Sequence, residues 1–167
     1  MSEICILYCL TKRKMTIYSV RKNISEYFGA FTKPSHGTIH PALKKMAEYG
    51  YVTAEDILSD GGKKSCYYSI TEKGKKYFSE LMLSDFSDNP SVFMNEIYTR
   101  LAALGALSND SKDELKTAIL QTLDLYITET KRAIANEYLG LDKYQKSVMA
   151  QSVSNAENLV KYVSEIE

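Results

Sequence analysis

The fold is decided by the stretch Ser35-His-Gly-Thr-Ile-His-Pro-Ala-Leu-Lys-Lys-Met-Ala-Glu-Tyr-Gly50. Its apolar residues recur at steps of four, three and one, the spacing of one helical stripe. They are Ile39, Leu43, Met46 and Ala47. Gly50 lies where a left-handed residue ends a helix. Because Pro41 lacks an N–H and is tolerated best in a first turn, the helix is predicted to begin near Gly37 or Thr38, or to bend.

A second face of this helix is polar. His36, His40 and Lys44 are four residues apart, so their side chains project from one side. A short helix with a buried apolar stripe and a donor-rich face suits insertion into the major groove of DNA. An ordinary surface helix is the alternative, and these residues alone leave it open. The neighbouring segments decide between the two.

Two further helices precede this segment. Residues 3–13 and 17–28 both carry apolar side chains at helical spacing, and Thr16 is available to cap the second of these helices. Gly29 ends that helix, and residues 30–34 form a short connection. Two helices joined in this way, one of them donor-rich on its outer face, have the order of a helix-turn-helix motif.

A hairpin follows the segment. Residues 51–58 and 65–70 are rich in strand formers, and an Asp-Gly turn signal lies between them. The tip carries Lys63 and Lys64, which can meet DNA phosphates or enter a minor groove. A solvated basic tip is the alternative reading. A hairpin placed directly after three helices, however, is the order of a wing.

Composition and charge fit a soluble protein with one polyanion-binding half. The 167 residues are 44% hydrophobic and 25% charged, with a net charge of zero. Residues 1–84 hold 13 Lys and Arg against 8 Asp and Glu, whereas residues 85–167 hold 8 against 13. No apolar run approaches the ~20 residues that span a bilayer, and the start lacks the pattern of a signal peptide. We therefore expect a cytoplasmic protein whose first half meets the polyanion.

No metal, cofactor or catalytic centre is predicted. Cys5, Cys9 and Cys66 have no Cys-x-x-Cys spacing and are expected to be reduced thiols. Cys5 and Cys9 share a helical face, and buried hydrophobes are favoured over a metal or redox pair there because no third ligand is near. The pair His36 and His40 likewise lacks further zinc ligands. Neither a Gly-rich phosphate loop nor a nucleophile elbow is present, so no enzyme is expected.

The chain is predicted to divide after a fourth helix. Thr71 can cap a helix over 72–83, and residues 84–90 are a polar break. We expect a winged helix-turn-helix DNA-binding domain over 1–84 and an all-helical dimerisation domain over 85–167. The fold class is accordingly mainly α with a small β-hairpin wing.

The second half is predicted to contain three helices. Asn89-Pro90 suits the start of the first. Ser111–Glu114 has the capping-box pattern and is expected to open a long helix that runs to Tyr138 or Leu139. Asp142 can cap the last helix, whose apolar residues step four, three, four, three as in a heptad seam.

The two last helices are predicted to form a dimer interface. At 1.5 Å per residue they would be about 42 and 36 Å long, too long to bury both apolar stripes against a small winged domain. A second copy of the chain would cover the remainder, and an intramolecular three-helix bundle is the alternative. The predicted interface residues are Leu115, Ile119, Leu123, Tyr126, Ile134, Met149, Val153, Val160 and Val163.

Two runs of sequence resemble a known family. Pro34-Ser-His-Gly-Thr-Ile-His-Pro-Ala-Leu43 resembles the Pro-Ser-x-Gly-Thr-Leu-Tyr-Pro-Ala-Leu signature of the PadR family of bacterial transcriptional regulators. Tyr67-Tyr-Ser-Ile-Thr-Glu-Lys-Gly74 resembles that family's Tyr-Tyr-x-Leu-Thr-x-x-Gly signature at the wing exit. The resemblance implies a winged helix, homodimerisation through C-terminal helices, and DNA-backbone contact by Tyr18. His40 departs from the family, which has tyrosine there. The resemblance also implies a small aromatic effector, which the sequence does not identify.

Together these observations predict a homodimeric, sequence-specific DNA-binding regulator, acting as a repressor at a pseudo-palindromic operator. Its two recognition helices would be about 34 Å apart. A winged helix that binds only another protein is the alternative. The cations expected to meet phosphates are Lys12, Arg13, Lys14, Arg21, Lys22, Lys63 and Lys64. The residues expected at or near bases are Ser35, His36, Thr38, His40 and Lys44, with Gly37 and Tyr67 completing the predicted DNA-binding set.

Overall fold

The computed structural model describes residues 1–32, 35–58 and 64–166, and only the backbone of His36. Seven helices and one small sheet account for most of these residues, which confirms the predicted fold class. The helices are α1 (Ser2–Lys12), α2 (Ile17–Phe28), α3 (His36–Glu48), α4 (Glu72–Leu83), α5 (Pro90–Ala103), α6 (Asn109–Ala135) and α7 (Lys143–Glu165). The strands are β1 (Met15–Thr16), β2 (Val52–Leu58) and β3 (Lys64–Ile70), and single 3-10 turns span Leu104–Ala106 and Glu137–Leu139.

Most of the predicted helix caps are present. In each, an oxygen of a side chain before the first turn accepts a backbone N–H that has no partner inside the helix. The capping residues are Thr16 for α2, Thr71 for α4, Asn89 for α5 and Asp142 for α7. At Asp142 the cap is a full capping box with Gln145. Gly50 has φ +72°, as a left-handed helix stop requires.

Two predicted helix ends were wrong, and both belong to the long helix α6. The long helix α6 begins at Asn109. Ser108 caps it in place of Ser111, because Ser108 Oγ accepts the N–H of Ser111 at 3.3 Å. The helix ends at Ala135, where Asn136 starts the separate 3-10 turn. Helix α3 begins at His36, next to the predicted start near Gly37, and contains Pro41.

The structure consists of two compact units, Met1–Ser111 and Lys112–Glu167. The first is built around α1, which packs against α2, α3, α4, α5 and β3. The α1 side chains of Cys5, Ile6, Leu7 and Cys9 have no exposed surface. Because α5 packs on α1 and α2, contacts divide the chain at 111/112. The sequence predicted a boundary at 84/85 between a DNA-binding and a dimerisation domain. That division of function stays a prediction.

The sheet is antiparallel with the order β1-β3-β2. Paired residues lie on the same face, and successive residues alternate between faces. Glu55 and Thr16 both pair with Tyr67 across neighbouring strands, so these three side chains share one face. Asp56 pairs with Cys66 on the opposite face. We call the β2–β3 hairpin the wing; its tip, residues 59–63, lies outside the described residues.

A tight joint connects the end of α3 to the wing and α4. Thr71 Oγ1 donates to the carbonyl oxygens of Gly50 at 2.8 Å and Tyr51 at 3.1 Å. Gly74 faces the same turn, where an added Cβ would overlap the carbonyl oxygen of Tyr51 and lie 2.9 Å from Ile70 Cγ1. Only glycine therefore allows α4 to approach this closely.

The second unit contains α7 and most of α6. Tyr126 OH donates to Ser152 Oγ at 2.8 Å, and Lys131 Nζ lies 2.7 Å from Glu157 Oε1, so the two helices run side by side. Lys116 Nζ also donates to the carbonyl of Ile166 at 2.7 Å. Among the described residues, none of the helices combines the length and apolar character that a membrane crossing needs.

Candidate nucleic-acid interface

Helix α3 has one buried face and one exposed polar face. Ile39, Leu43 and Met46 are at most 1% exposed, which confirms three members of the predicted apolar stripe; the fourth, Ala47, is partly exposed. Thr38, His40, Pro41, Lys44 and Lys45 are exposed. Since α1, α2 and β2 hold the apolar stripe, the polar residues are presented from a fixed helix.

The first turn of α3 is tied by its own hydroxyls. Ser35 precedes the helix in extended conformation, and its Oγ lies 2.8 Å from Thr38 Oγ1. The Ser35 carbonyl accepts the N–H groups of Thr38 at 3.1 Å and Ile39 at 3.3 Å. Gly37 is exposed, and among the described atoms an added Cβ would meet only Ser35 Oγ, at 3.8 Å. Packing does not demand this glycine, which leaves the backbone open to a close approach from outside.

His40 and Lys44 are free to bind a ligand. In the part of the chain that the structure describes, no hydrogen bond or ion pair engages either side chain. One helical turn separates them, so they extend the polar face from the first turn. The side chain of His36, predicted on the same face, lies outside the described residues, as does Lys63.

Three cations predicted to meet phosphates are held by carboxylates that the sequence analysis did not single out. Lys64 Nζ lies 2.8 Å from Asp56 Oδ2, and this hydrogen bond raises the pKa of Lys64. Lys14 and Lys22 lie at 3.8 Å from the carboxylates of Glu55 and Glu26, respectively. Only the Lys22–Glu26 pair has a direct sequence signal, its spacing of four along a helix. The other two depend on strand register.

Two tyrosines of the predicted set lie near the base of the wing. Tyr18, in the first turn of α2, is 74% exposed, and Lys22 follows it one helical turn later. Tyr67 is partly buried, with Lys14 Nζ 5.8 Å from its ring centroid. Thr16, which caps α2, pairs with Tyr67, so the start of α2 lies beside β3. The structure thus brings α2 and the wing together.

The remaining predicted cations differ in their surroundings. Lys12 Nζ lies 4.8 Å from the Tyr8 ring centroid. Arg13 and Arg21 are exposed, and the described residues place no carboxylate within ion-pair distance of them. These two arginines can therefore meet a phosphate without releasing an internal partner.

The two buried thiols of α1 are in an environment that makes them unreactive. Burial raises the pKa of both Cys5 and Cys9 to about 12, so both remain protonated near neutral pH. Among the described residues, no group of three or more His, Cys, Asp or Glu side chains could hold a metal ion. Both observations fit the interpretation of Cys5 and Cys9 as small hydrophobes.

Arg100 is a buried charge that the sequence analysis missed. It is 3% exposed, and its guanidinium donates to the carbonyl oxygens of Met82, in the last turn of α4, and of Ser84 and Asp85, just after that helix. Its charged carbon lies 4.2 Å from the Phe86 ring centroid, and burial lowers its pKa. Arg100 therefore fastens α5 to the end of α4. No sequence signal indicated this role, because three of its four acceptors are backbone carbonyls; the fourth is Ser84 Oγ at 3.1 Å.

Three tyrosines stack beside the second half of α3. The ring centroids of Tyr51 and Tyr77 are 4.0 Å apart, and that of Tyr49 is 6.0 Å from Tyr51. Tyr77 OH donates to Glu3 Oε2 at 2.8 Å; burial and this hydrogen bond raise its pKa to about 12. With Lys45 and Met46 they line a cavity of about 190 Å³.

The predicted dimerisation residues fall into two groups. Leu115, Ile119, Leu123, Val153 and Val163 are at most 5% exposed within one chain, so any role in dimerisation would be to hold the helices together. Tyr126, Ile134, Met149 and Val160 are partly exposed. Sequence reasoning missed the exposed large apolar residues of α6 and α7, which are better placed to meet a partner. They include Leu125, Tyr144, Val148 and Tyr162, each at least 52% exposed.

Three helices followed by a β-hairpin wing define a winged helix-turn-helix protein. The third helix, α3, exposes a polar face and buries its apolar stripe. Residues 6–80 match the model of the transcriptional regulator PadR-like family. The match covers the N-terminal domain, less than half of the chain, and confirms there the resemblance seen in the sequence.

Similar proteins extend along most of the chain. It is 21% identical to the negative transcriptional regulator PadR of Bacillus subtilis (strain 168), over 96% of this chain and 92% of the relative. A solved structure of B. subtilis PadR in complex with operator DNA covers 97% of this chain and 94% of its own, at 19% identity and a TM-score of 0.49. The protein smu.1604c of Streptococcus mutans UA159 covers 98% and 96%, at 22% identity and a TM-score of 0.48.

Proposed function

We propose that this protein is a repressor that binds a pseudo-palindromic operator as a homodimer, with α3 in the major groove. One observation carries the proposal: the exposed face of α3 presents Thr38, His40 and Lys44 from a helix whose other face is buried. Hydroxyl, imidazole and ammonium groups are hydrogen-bond partners for base edges in the major groove. The B. subtilis relative, named a negative regulator, supports repression.

The surrounding elements would hold the DNA backbone. Tyr18, Arg21 and Lys22 on α2 are exposed and would reach phosphates flanking the groove that α3 enters. The wing would meet the backbone or the adjacent minor groove. Affinity should accordingly fall with salt for any sequence, and α3 should supply the preference for one sequence.

A second copy of the chain would complete the regulator. Leu125 on α6 and Val148 on α7 are 60% and 69% exposed. Exposed apolar surface is unfavourable in water, and a matching surface on a partner would bury it. Two-fold symmetry would then repeat the α3 contact about one DNA turn away, near 34 Å. Light scattering should give twice the 18.9 kDa chain mass, and Leu125→Glu should shift it toward the monomer. A wild-type monomer at operator-binding concentrations would contradict the dimer.

A small aromatic effector would release the operator if it favoured a state in which the two α3 helices no longer fit one DNA face. The cavity beside Tyr49 supports the proposal of an effector site, because its lining includes Lys45 and Met46 of α3. Titration of simple phenolic acids into the protein–DNA complex, read by loss of fluorescence anisotropy, tests it. Tyr51→Ala should abolish any such response without removing DNA binding.

The central proposal is tested by anisotropy titrations of the protein against its own promoter DNA and a shuffled duplex. Salt should be raised from about 50 to 300 mM, and log affinity should fall linearly with log salt for both duplexes. The promoter should stay the tighter ligand throughout. Affinity that is independent of salt, or equal for the two duplexes, would contradict sequence-specific DNA binding.

A further inference from the structure

On each face of the wing, a carboxylate of β2 forms an ion pair with a lysine; Lys64 belongs to the wing, and Lys14 precedes β1. On one face, Lys64 Nζ of β3 is 2.8 Å from Asp56 Oδ2 of β2. On the other, Lys14 Nζ reaches past the Tyr67 ring, 5.8 Å from its centroid, to Glu55 Oε2 at 3.8 Å. Strand register explains the arrangement, because Glu55 pairs with Tyr67 and the adjacent Asp56 faces the other way.

These ion pairs contribute little to the fold. The four side chains are 52 to 70% exposed, and exposed ion pairs typically stabilise a protein by about 0–1 kcal/mol. Their larger effect is on the charge that the wing offers to a polyanion. A phosphate that approaches Lys64 must displace Asp56 and also lies close to its negative charge.

We propose that Glu55 and Asp56 set the DNA affinity of the wing by holding Lys14 and Lys64 in ion pairs that DNA phosphates must displace. The proposal rests on the DNA-binding function proposed above and identifies two residues that tune it. Lys44 on α3 has no such partner among the described residues, so the restraint acts on the wing and leaves α3 unaffected.

The size of the effect follows from counterion release. Each phosphate neutralised by a lysine adds about 0.9 to the slope of log affinity against log salt. If one such contact contributes nothing to affinity at ~1 M salt, it raises the affinity about fivefold at ~0.15 M salt. Asp56→Asn should therefore tighten binding by about fivefold and steepen the slope by about 0.9. Glu55→Gln should have a smaller effect in the same direction, because its ion pair is longer.

The experiment measures Asp56→Asn, Glu55→Gln and their combination on promoter and shuffled duplexes at several salt concentrations. Glu72→Gln is the matched control, since Glu72 is also exposed and its carboxylate lies 2.7 Å from Lys75 on α4. It makes the same change in net charge away from the wing. We expect Asp56→Asn to tighten binding to both duplexes, and Glu72→Gln to change it by less than about twofold, with melting temperatures unchanged.

Two outcomes would overturn the proposal. Equal tightening by Glu72→Gln would show that only net charge matters. Unchanged binding of Asp56→Asn and Glu55→Gln, or a lowered melting temperature without tighter binding, would show that the pairs only stabilise strand register. Failure of the wild-type protein to bind DNA with salt dependence would instead contradict the function proposed above, so the two failures are distinguishable.

Discussion

Helix α3 and the wing both carry polar side chains, but those side chains differ in their internal partners. On α3, His40 and Lys44 are exposed and form no ion pair within the described part of the chain, and Glu48 at the last position is the helix's one acid. On the wing, Lys64 is hydrogen-bonded to Asp56. A ligand therefore gains the α3 contacts without displacing an internal partner, whereas the wing contacts require an exchange. We infer that α3 supplies most of the sequence preference and the wing a moderated, sequence-independent contribution.

The largest expected effect is a loss of stability at the joint between α3 and the wing. Gly74→Ala should lower the free energy of unfolding by about 3 kcal/mol, because its Cβ would overlap the Tyr51 carbonyl oxygen at the joint between α3 and the wing. Urea unfolding measures the loss. Gly105→Ala is the control, since no atom of residues 1–32, 35–58 or 64–166 lies within 4 Å of a Cβ built there. Equal stability of the two variants would contradict the close approach described here.

The next effect separates α3 from the wing. His40→Ala and Lys44→Ala should each cost about 1–3 kcal/mol of promoter binding if they contact base edges, and much less binding to shuffled DNA. Anisotropy titrations with both duplexes measure the difference. Lys45→Ala is the matched control, because Lys45 lies near the Tyr49 ring, 6.0 Å from its centroid. A control as damaging as the two test variants would argue against an oriented α3 face.

A smaller effect is expected from the wing lysines. The double substitution of Lys63 and Lys64 by alanine should weaken binding to promoter and shuffled DNA alike, by a few-fold, and lower the salt slope by up to about 1 per lysine. The loss at Lys64 should be the smaller because Asp56 already occupies it. A change confined to promoter DNA would instead assign sequence reading to the wing.

The smallest effect concerns Gly37 at the start of α3. Gly37→Ala should stabilise the protein by up to about 1 kcal/mol, since alanine favours helix and the structure leaves room for its Cβ. DNA binding should nevertheless weaken, because the methyl group would stand between the helix and an approaching sugar-phosphate backbone. Thermal melting and promoter titration measure the two effects. Tighter DNA binding by the more stable variant would contradict a close approach at Gly37.

Local signals in the sequence predicted much of this architecture. Thr71 was predicted to cap α4 from residue type and spacing alone, and its side chain accepts the N–H of Gly74. Ile39, Leu43 and Met46 were predicted to be buried from helical periodicity. Such features depend on neighbours a few residues away, so the sequence contains most of the information that determines them.

Features that depend on distant partners were not predictable in the same way. The Asp56–Lys64 pair depends on strand register, which a sequence of alternating residues does not specify. Leu115 and Ile119 were assigned to the predicted dimer interface, yet both are covered within one chain. Periodicity indicates that a residue is buried but not against which surface. Ser108 and Ser111 are equally good capping residues, so the choice between them depended on where the preceding 3-10 turn ends.

The most direct test of the central claim uses operator duplexes in which single purines are replaced by their 7-deaza analogues. The change removes one acceptor from the major groove and leaves base pairing intact. The wild-type protein should lose about fivefold or more in affinity at one or more purines of each half-site, and His40→Ala or Lys44→Ala should remove that sensitivity. Full tolerance of every replacement by the wild-type protein would contradict the placement of the α3 polar face in the major groove.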